Sequence, residues 1–251
     1  MPHSARLLSP RLLGSINAGP PGRDRFGLTV IPLQVRSADS ARSQLAQPLA
    51  ALELQVPSPG NVVMSSAAGA AGLATFGQRL TGGMADRVVV ATSTIPLGGQ
   101  AIIPVAPLEP RWWDEGPLRL DGRLPPTVLA LVQLATSDWV GLRSLARTAL
   151  WEACRELSDD DLATEQDSWA LLDGPTLLAV QLMLPPGVIF PAPDAAHDPS
   201  SSALVRRALS EAARDDRVGW LAHSQGHLTE LSMVRASLAL PDAILRPVVL
   251  D

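Results

Sequence analysis

The residues best suited to chemistry lie around the segment "IIPVAPLEPRWWDEG", residues 102–116, where an apolar strand runs through prolines into Glu109, Arg111 and the adjacent Trp112 and Trp113. With three Phe and no Tyr in the chain, two of its six Trp stand side by side next to a charge pair. Strands over 87–94 and 100–108, joined by a turn at Pro96 to Gly99, bring Arg87 opposite residues 108 to 110 and so close to Glu109. Asp86, Arg87, Glu109, Arg111, Trp112 and Trp113 then gather at the open end of one hairpin. An arginine there can hold an anionic group and an indole can stack on a planar one. The competing expectation is an Arg87–Glu109 pair that braces the hairpin, with one Trp buried and the other half exposed. The usual place of Trp in cores and interfaces favours bracing.

Other chemical signatures are weaker. The stretch "AHSQG" (222–226), behind apolar "VGWL", looks like the strand, elbow and helix that expose a hydrolase serine. Chain order argues against it, because the acid and histidine of that triad follow the serine, and the only later histidine is His227. His223 and His227 have the spacing of two metal ligands on a helix, but no acidic residue lies between them and no third ligand is evident. The run "SDDDLATEQD" (158–167) reads as helix-capping chemistry, with Ser158 or Asp159 as the cap. "LGGQ" and "TGGM" read as turns. No phosphate-loop or dinucleotide fingerprint occurs, and neither cofactor nor metal is expected.

Composition narrows the classes. Residues 1–87 hold eight Arg against four acids and the remainder twelve against twenty-one, within a net charge of −5. No dense basic stripe exists, which disfavours a nucleic-acid partner. The chain has no lysine, which excludes Schiff-base chemistry and a phosphate-loop lysine. Its richness in Arg, Ala, Gly and Pro fits GC-rich codon usage and a bacterial origin. One cysteine, Cys154, excludes an intramolecular disulfide framework and any multi-cysteine metal site. No apolar run reaches the roughly 18 residues a membrane helix needs, so no membrane association is expected. Residues 1–25, Arg-bearing and nearly free of acids, read as a flexible arm before a single domain over 26–251. A cytoplasmic location is the default expectation.

The elements that must position these residues follow from periodicity. Strands are expected at 27–35, 49–56, 61–66, 71–76, 87–93 and 100–106, with Pro104 marking an edge or bulge. They succeed one another without intervening helices, so antiparallel pairing is the economical arrangement. "PPTVLALVQLATS" (125–137) opens a helix with proline. In "VGLRSLARTALWEACREL" (140–157), Leu142, Leu145, Ala146, Ala149, Ala153, Cys154 and Leu157 share one face, which places Cys154 in the core. A hairpin over 169–184 turns at Asp173-Gly174. A helix over 203–216 follows, facing Leu204, Val205, Ala208, Leu209 and Ala212 inward, and the remaining C-terminal region is mixed, with strand-like 227–234 and 244–250. The fold class is α+β: a mainly antiparallel sheet from 27–106, helices of 125–157 packed on it, and a mixed C-terminal region.

Residues 76–113, "FGQRLTGGMADRVVVATSTIPLGGQAIIPVAPLEPRWW", resemble the signature segment of the ARG-and-rhodanese-phosphatase-superfamily-associated protein domain (ARPP) family. The likeness runs through Gly77, Gly82, Asp86, Arg87, Thr94, Pro96, Gly98, Ile103, Pro104, Val105, Glu109, Arg111 and one of the paired Trp. The chain departs from the family pattern at Met84, Asp86 and Pro107, which stand where a lysine, an amide and a cysteine are usual. The resemblance implies a divergent, non-catalytic member of a family without established activity, associated with ADP-ribosylglycohydrolase and phosphatase-like domains. Two functions follow as expectations. The first is an accessory or regulatory module, not an enzyme, that binds a protein partner or itself. The alternative is a binder of, or enzyme on, a nucleotide or ADP-ribose-type anionic small molecule at the hairpin end.

Overall fold

The computed structural model describes residues 10–35, 52–58, 60–66, 72–83, 85–109, 118–137, 140–158, 161, 168–184, 198–215, 217–225 and 228–239. The described fold is α+β, and every strand pair in it is antiparallel. Contacts divide the chain into two compact units where a single domain was expected. Unit 1 comprises residues 1–42, 125–149 and 165–251, and unit 2 comprises 43–124 and 150–164.

Unit 1 carries a seven-stranded sheet. Its strands are β1 (Ile16–Ala18), β2 (Gly22–Arg23), β3 (Thr29–Val35), β12 (Trp169–Asp173), β13 (Thr176–Leu184), β14 (Val218–Gln225) and β15 (Leu228–Arg235). The main path runs β1, β3, β12, β13, β15, β14, with β2 beside β3. The β12–β13 hairpin turns at Gly174-Pro175, one residue later than expected because Asp173 still pairs with Thr176, and Gly174 has φ +56, where a side chain would be strained. Alternation places Ile31, Leu33, Leu172, Val180, Leu182, Leu231 and Met233 on one face, packed with Val205, Leu209 and Ala212 of α4 (Pro199–Ala212). The opposite face meets α2 (Pro126–Thr136), whose Gln133 side chain donates to Gln181 of β13 at 2.8 Å.

Of the flexible arm expected over residues 1–25, the described part, residues 10–25, is ordered. Helix α1 (Pro10–Ser15) leads into β1, where Ile16 and Ala18 are buried. Polar residues conceal this strand from a sequence scan, because it is only three residues long and borrows its partners from β3 and α4. Helix α4 begins at Pro199 rather than 203, because Asp198 caps it by accepting from the Ser200 backbone N–H at 2.9 Å. Hydrogen bonds from Ser200 and Ser201 hold the Asp198 carboxyl down at about 2.

Unit 2 carries a six-stranded sheet ordered β11, β7, β8, β10, β5, β4. These are β4 (Leu52–Ser58), β5 (Asn61–Ser66), β7 (Gln78–Thr81), β8 (Arg87–Val89), β10 (Gln100–Pro107) and β11 (Arg119–Arg123). The short β6 (Gly72–Ala74) and β9 (Ser93–Ile95) pair separately. Its core joins Val62, Met64, Ala74, Leu80, Val89, Ile95, Ile103 and Val105. Pro104 lies inside a central strand, not at an edge. It is the last residue of β10 paired with β5, and Val105 is the first paired with β8, so the missing N–H falls where the ladder changes partner.

The strands of 27–106 therefore do not form one sheet: β3 joins unit 1, and the rest build unit 2. The division falls inside α3 (Val140–Arg155), between Ala149 and Leu150. On α3, Ala146, Ala149, Leu150 and Ala153 are buried, whereas Leu145 is exposed and Leu142 and Cys154 are half-buried. The buried stripe is thus narrower than the expected face. Among the described residues, no helix is long and apolar enough to cross a membrane.

Candidate functional site

Strand β8 lies between β7 and β10, so its residues are covered on both sides by neighbouring strands. Arg87 pairs with Leu80 on β7 and with Pro107 on β10. Its partner on β10 therefore comes one residue earlier than the nearest position expected, residue 108. The hairpin opens at the far end, where β9 leaves β10 to pair with β6, although the turn itself closes with the Gly99 N–H donating to Pro96 O at 3.0 Å.

Alternation aims Arg87 toward the face of Val89 and Leu80, both core residues. The side chain is 0% exposed, and among the described residues its Nε, Nη1 and Nη2 have no hydrogen-bond partner. A Cβ built on Gly83, which has φ +66, would lie 3.9 Å from Arg87 Nη1 and 3.5 Å from Leu118 Cδ1. Burial lowers the pKa of this guanidinium below its ordinary value. Arginine nevertheless keeps its proton at any pH a protein survives, so a full charge with five N–H donors stands here without an acceptor among the described residues. A buried charge in that condition is among the costliest arrangements a fold can hold, and an anion placed against it would remove the cost.

The neighbouring groups are already engaged. Asp86 accepts from Arg79 Nη2 at 2.7 Å, and Arg79 also reaches Asp121 at 3.7 Å. Arg123, the other buried arginine of unit 2, donates from Nε and Nη2 to Phe76 O at 3.0 and 2.7 Å. Glu109 is exposed and forms no ion pair among the described residues, so the expected Arg87–Glu109 brace is not made. The register supplies the reason: with Pro107 opposite Arg87 and the Leu108 N–H bonded to Asp86 O, Glu109 falls past the end of the ladder. Arg111, Trp112 and Trp113 lie outside the described residues. Of the six candidates, the fold sets Arg87 and Asp86 side by side but gives Asp86 to Arg79.

The sequence carries no signal for the Arg79–Asp86 pair, because Gln78–Thr81 has no apolar alternation to mark β7 as a strand. The same cluster reaches Cys154 on α3. Burial pushes its thiol up to about 12, with Arg79 opposing the shift and Glu109 and Asp86 adding to it.

The other readings of the sequence resolve in unit 1. Ser224 lies within β14 and pairs with Thr229 of β15, so the backbone there is a hairpin strand and not a strand-to-helix elbow. His223 is likewise in a strand, opposite Glu230, and His227 lies outside the described residues. A cavity of about 460 Å3 in unit 1 is lined by Arg207, Arg217, Arg235, Glu211 and Asp215 among others. Each of its arginines is paired: Arg207 with Glu211 at 2.9 Å, Arg217 with Asp215 at 3.1 Å, and Arg235 with Asp215. These pairs and backbone bonds hold the Asp215 carboxyl well below the usual carboxylate range, with Arg217 the larger cause. Every arginine of the cavity thus has a carboxylate partner, with Arg217 and Arg235 sharing Asp215, unlike Arg87. No family model matches the chain, nor does a curated protein or a solved structure.

Proposed function

We propose that this protein is an accessory binding module whose working group is Arg87 of unit 2, recognising the anionic part of a small molecule such as a nucleotide or ADP-ribose. The observation that carries the reading is the fully buried guanidinium with all three nitrogens unpartnered. An oxyanion matches the planar fork of donors in both charge and geometry. The likeness of residues 76–113 to the ARPP segment, which includes Arg87, adds to the reading, and membership of that family is part of the same proposal.

The test is a thermal-shift and Trp-fluorescence titration of the full chain with inorganic phosphate, common nucleotides and ADP-ribose, each against chloride at matched ionic strength. A ligand at 100 times its Kd should stabilise the wild type by about 2.7 kcal/mol. Arg87→Met should lose that response while staying folded, and Arg87→Lys should keep part of it. The reading falls if no anion stabilises the wild type beyond chloride. It also falls if Asp114→Asn or Glu115→Gln destabilises the wild type but not Arg87→Met, since the chain would then supply its own counter-charge.

A second reading, a protein-interaction module, is favoured by Leu97 and Ile102 of unit 2, which are 62% and 67% exposed. Recovery of a protein partner by the wild type but not by Ile102→Asp would support it.

A further inference from the structure

Along their strand orders the two larger sheets end in β1, β4, β11 and β14, and the first three of these end strands are closed to further pairing. Strand β1 is covered by α4 and the residue before it: the Asp198 N–H donates to Ala18 O at 2.8 Å, the Ala18 N–H donates to Ser202 Oγ at 2.9 Å, and Arg206 donates to Ile16 O at 2.7 Å. Strand β4 contains Glu53 and Pro57 and breaks register between Gln55 and Ser58. Strand β11 carries Arg119, Asp121 and Arg123 and bulges at Gly122, which has φ +47. Charge, proline, bulges and covering helices are the devices by which natural sheets prevent strand addition.

Among the described residues, the fourth edge has none of them. Strand β14, "VGWLAHSQ", is eight residues long, without proline or a formally charged residue, and pairs in unbroken register with β15. No described strand lies on its other side. Its side chains alternate in a telling way: Trp220 packs against the unit 1 core, whereas Leu221, on the opposite face, is 59% exposed.

We propose that β14 is a self-association edge, and that two copies of this chain join antiparallel through β14 about a two-fold axis at Leu221. Antiparallel strands related by a two-fold keep the same sheet face on the same side, so a residue can meet its own copy only where the axis passes. An axis at Leu221 sets the two exposed leucines against each other. It also sets Trp220 opposite Ala222, Gly219 opposite His223 and Val218 opposite Ser224, each counted once in either direction. Every such pair joins residues of one face, and no formal charge is placed opposite a like charge. The strand thus complements itself, whereas Glu53 or the charges of β11 make those edges poor partners for a copy. This inference rests on unit 1 alone and is independent of Arg87.

Sedimentation velocity of the full chain across a hundredfold concentration range tests it. The wild type should sediment as a reversible dimer. Leu221→Lys and Leu221→Asp should each be monomeric, with circular dichroism and melting behaviour of a folded protein, and an equimolar mixture of the two should return to dimer. In a Cys154→Ser background, Leu221→Cys should cross-link to its copy on oxidation and Ala222→Cys should not. A wild type that stays monomeric overturns the proposal and leaves the edge to a strand from another protein. A dimer that survives Leu221→Lys or Leu221→Asp overturns it equally.

Discussion

Unit 1 and unit 2 treat buried polar groups differently. In unit 1 the amide of Gln181, 1% exposed, accepts from Gln133 at 2.8 Å and from Ser232 at 2.6 Å, tying α2 to β13 and β15. Among the described residues of unit 1, the buried side-chain atoms left without partners stand one to a residue: Asn17 Nδ2, Gln133 Oε1, Trp169 Nε1 and His223 Nε2. In unit 2 one arginine is satisfied by Phe76 O, and the other, Arg87, keeps its charge and all its donors unpaired. One unit uses polarity to fix its packing. The other holds a charge that only something outside the described core can satisfy.

That contrast is broken most directly by replacing the two buried arginines of unit 2 in turn. Without ligand, Arg87→Met should raise stability by about 1–4 kcal/mol, because it removes an unpaired buried charge and keeps the volume. Arg123→Met should lower it by about 1–3 kcal/mol, because it strands the Phe76 carbonyl. Urea unfolding measures both, and equal signs would erase the distinction between the two residues.

The polar fixing of unit 1 gives the next effect. Gln181→Leu should cost about 1–3 kcal/mol by leaving the Gln133 and Ser232 donors buried and unmet. Adding Gln133→Leu and Ser232→Ala should recover part of the loss, and a loss that deepens additively would show that the three side chains do not act as one network.

Cys154 gives the smallest effect. With its thiol raised from 9.0 to about 12, it stays protonated at neutral pH, so alkylation should be slow in the native protein and fast after denaturation. The linked stability is fully present below pH 9, where both states hold the proton. It declines above pH 9, as the unfolded thiol ionises first, and is lost as pH rises through about 12. Cys154→Ser should flatten that alkaline decline.

Much of the local structure was legible. The run 61–66 is a strand at the expected bounds, α2 differs from its expected range by one residue at each end, and the 169–184 hairpin turns one residue after the expected Asp173-Gly174. Strands β7 and β11 escaped because Gln78–Thr81 and Arg119–Arg123 have no apolar alternation; they are held by their pairing with each other. The candidate site was legible in part. Arg87 could be singled out from its place beside a turn-rich hairpin, but its burial could not, since a three-residue strand has no periodicity to orient it.

By itself, the sequence determined what depends on neighbours along the chain: the α+β class, the order of most elements, the proline that opens α2 and the absence of lysine chemistry. Tertiary structure decided what depends on residues far apart. It sent β3 to pair with β12 in unit 1, gave Asp86 to Arg79, and set Pro107 rather than Glu109 opposite Arg87. The physical reason is that strand register and partner choice are set by long-range hydrogen-bond ladders and core packing. A shift of one residue in such a ladder exchanges the faces of every side chain and so decides whether a charge is braced or left open.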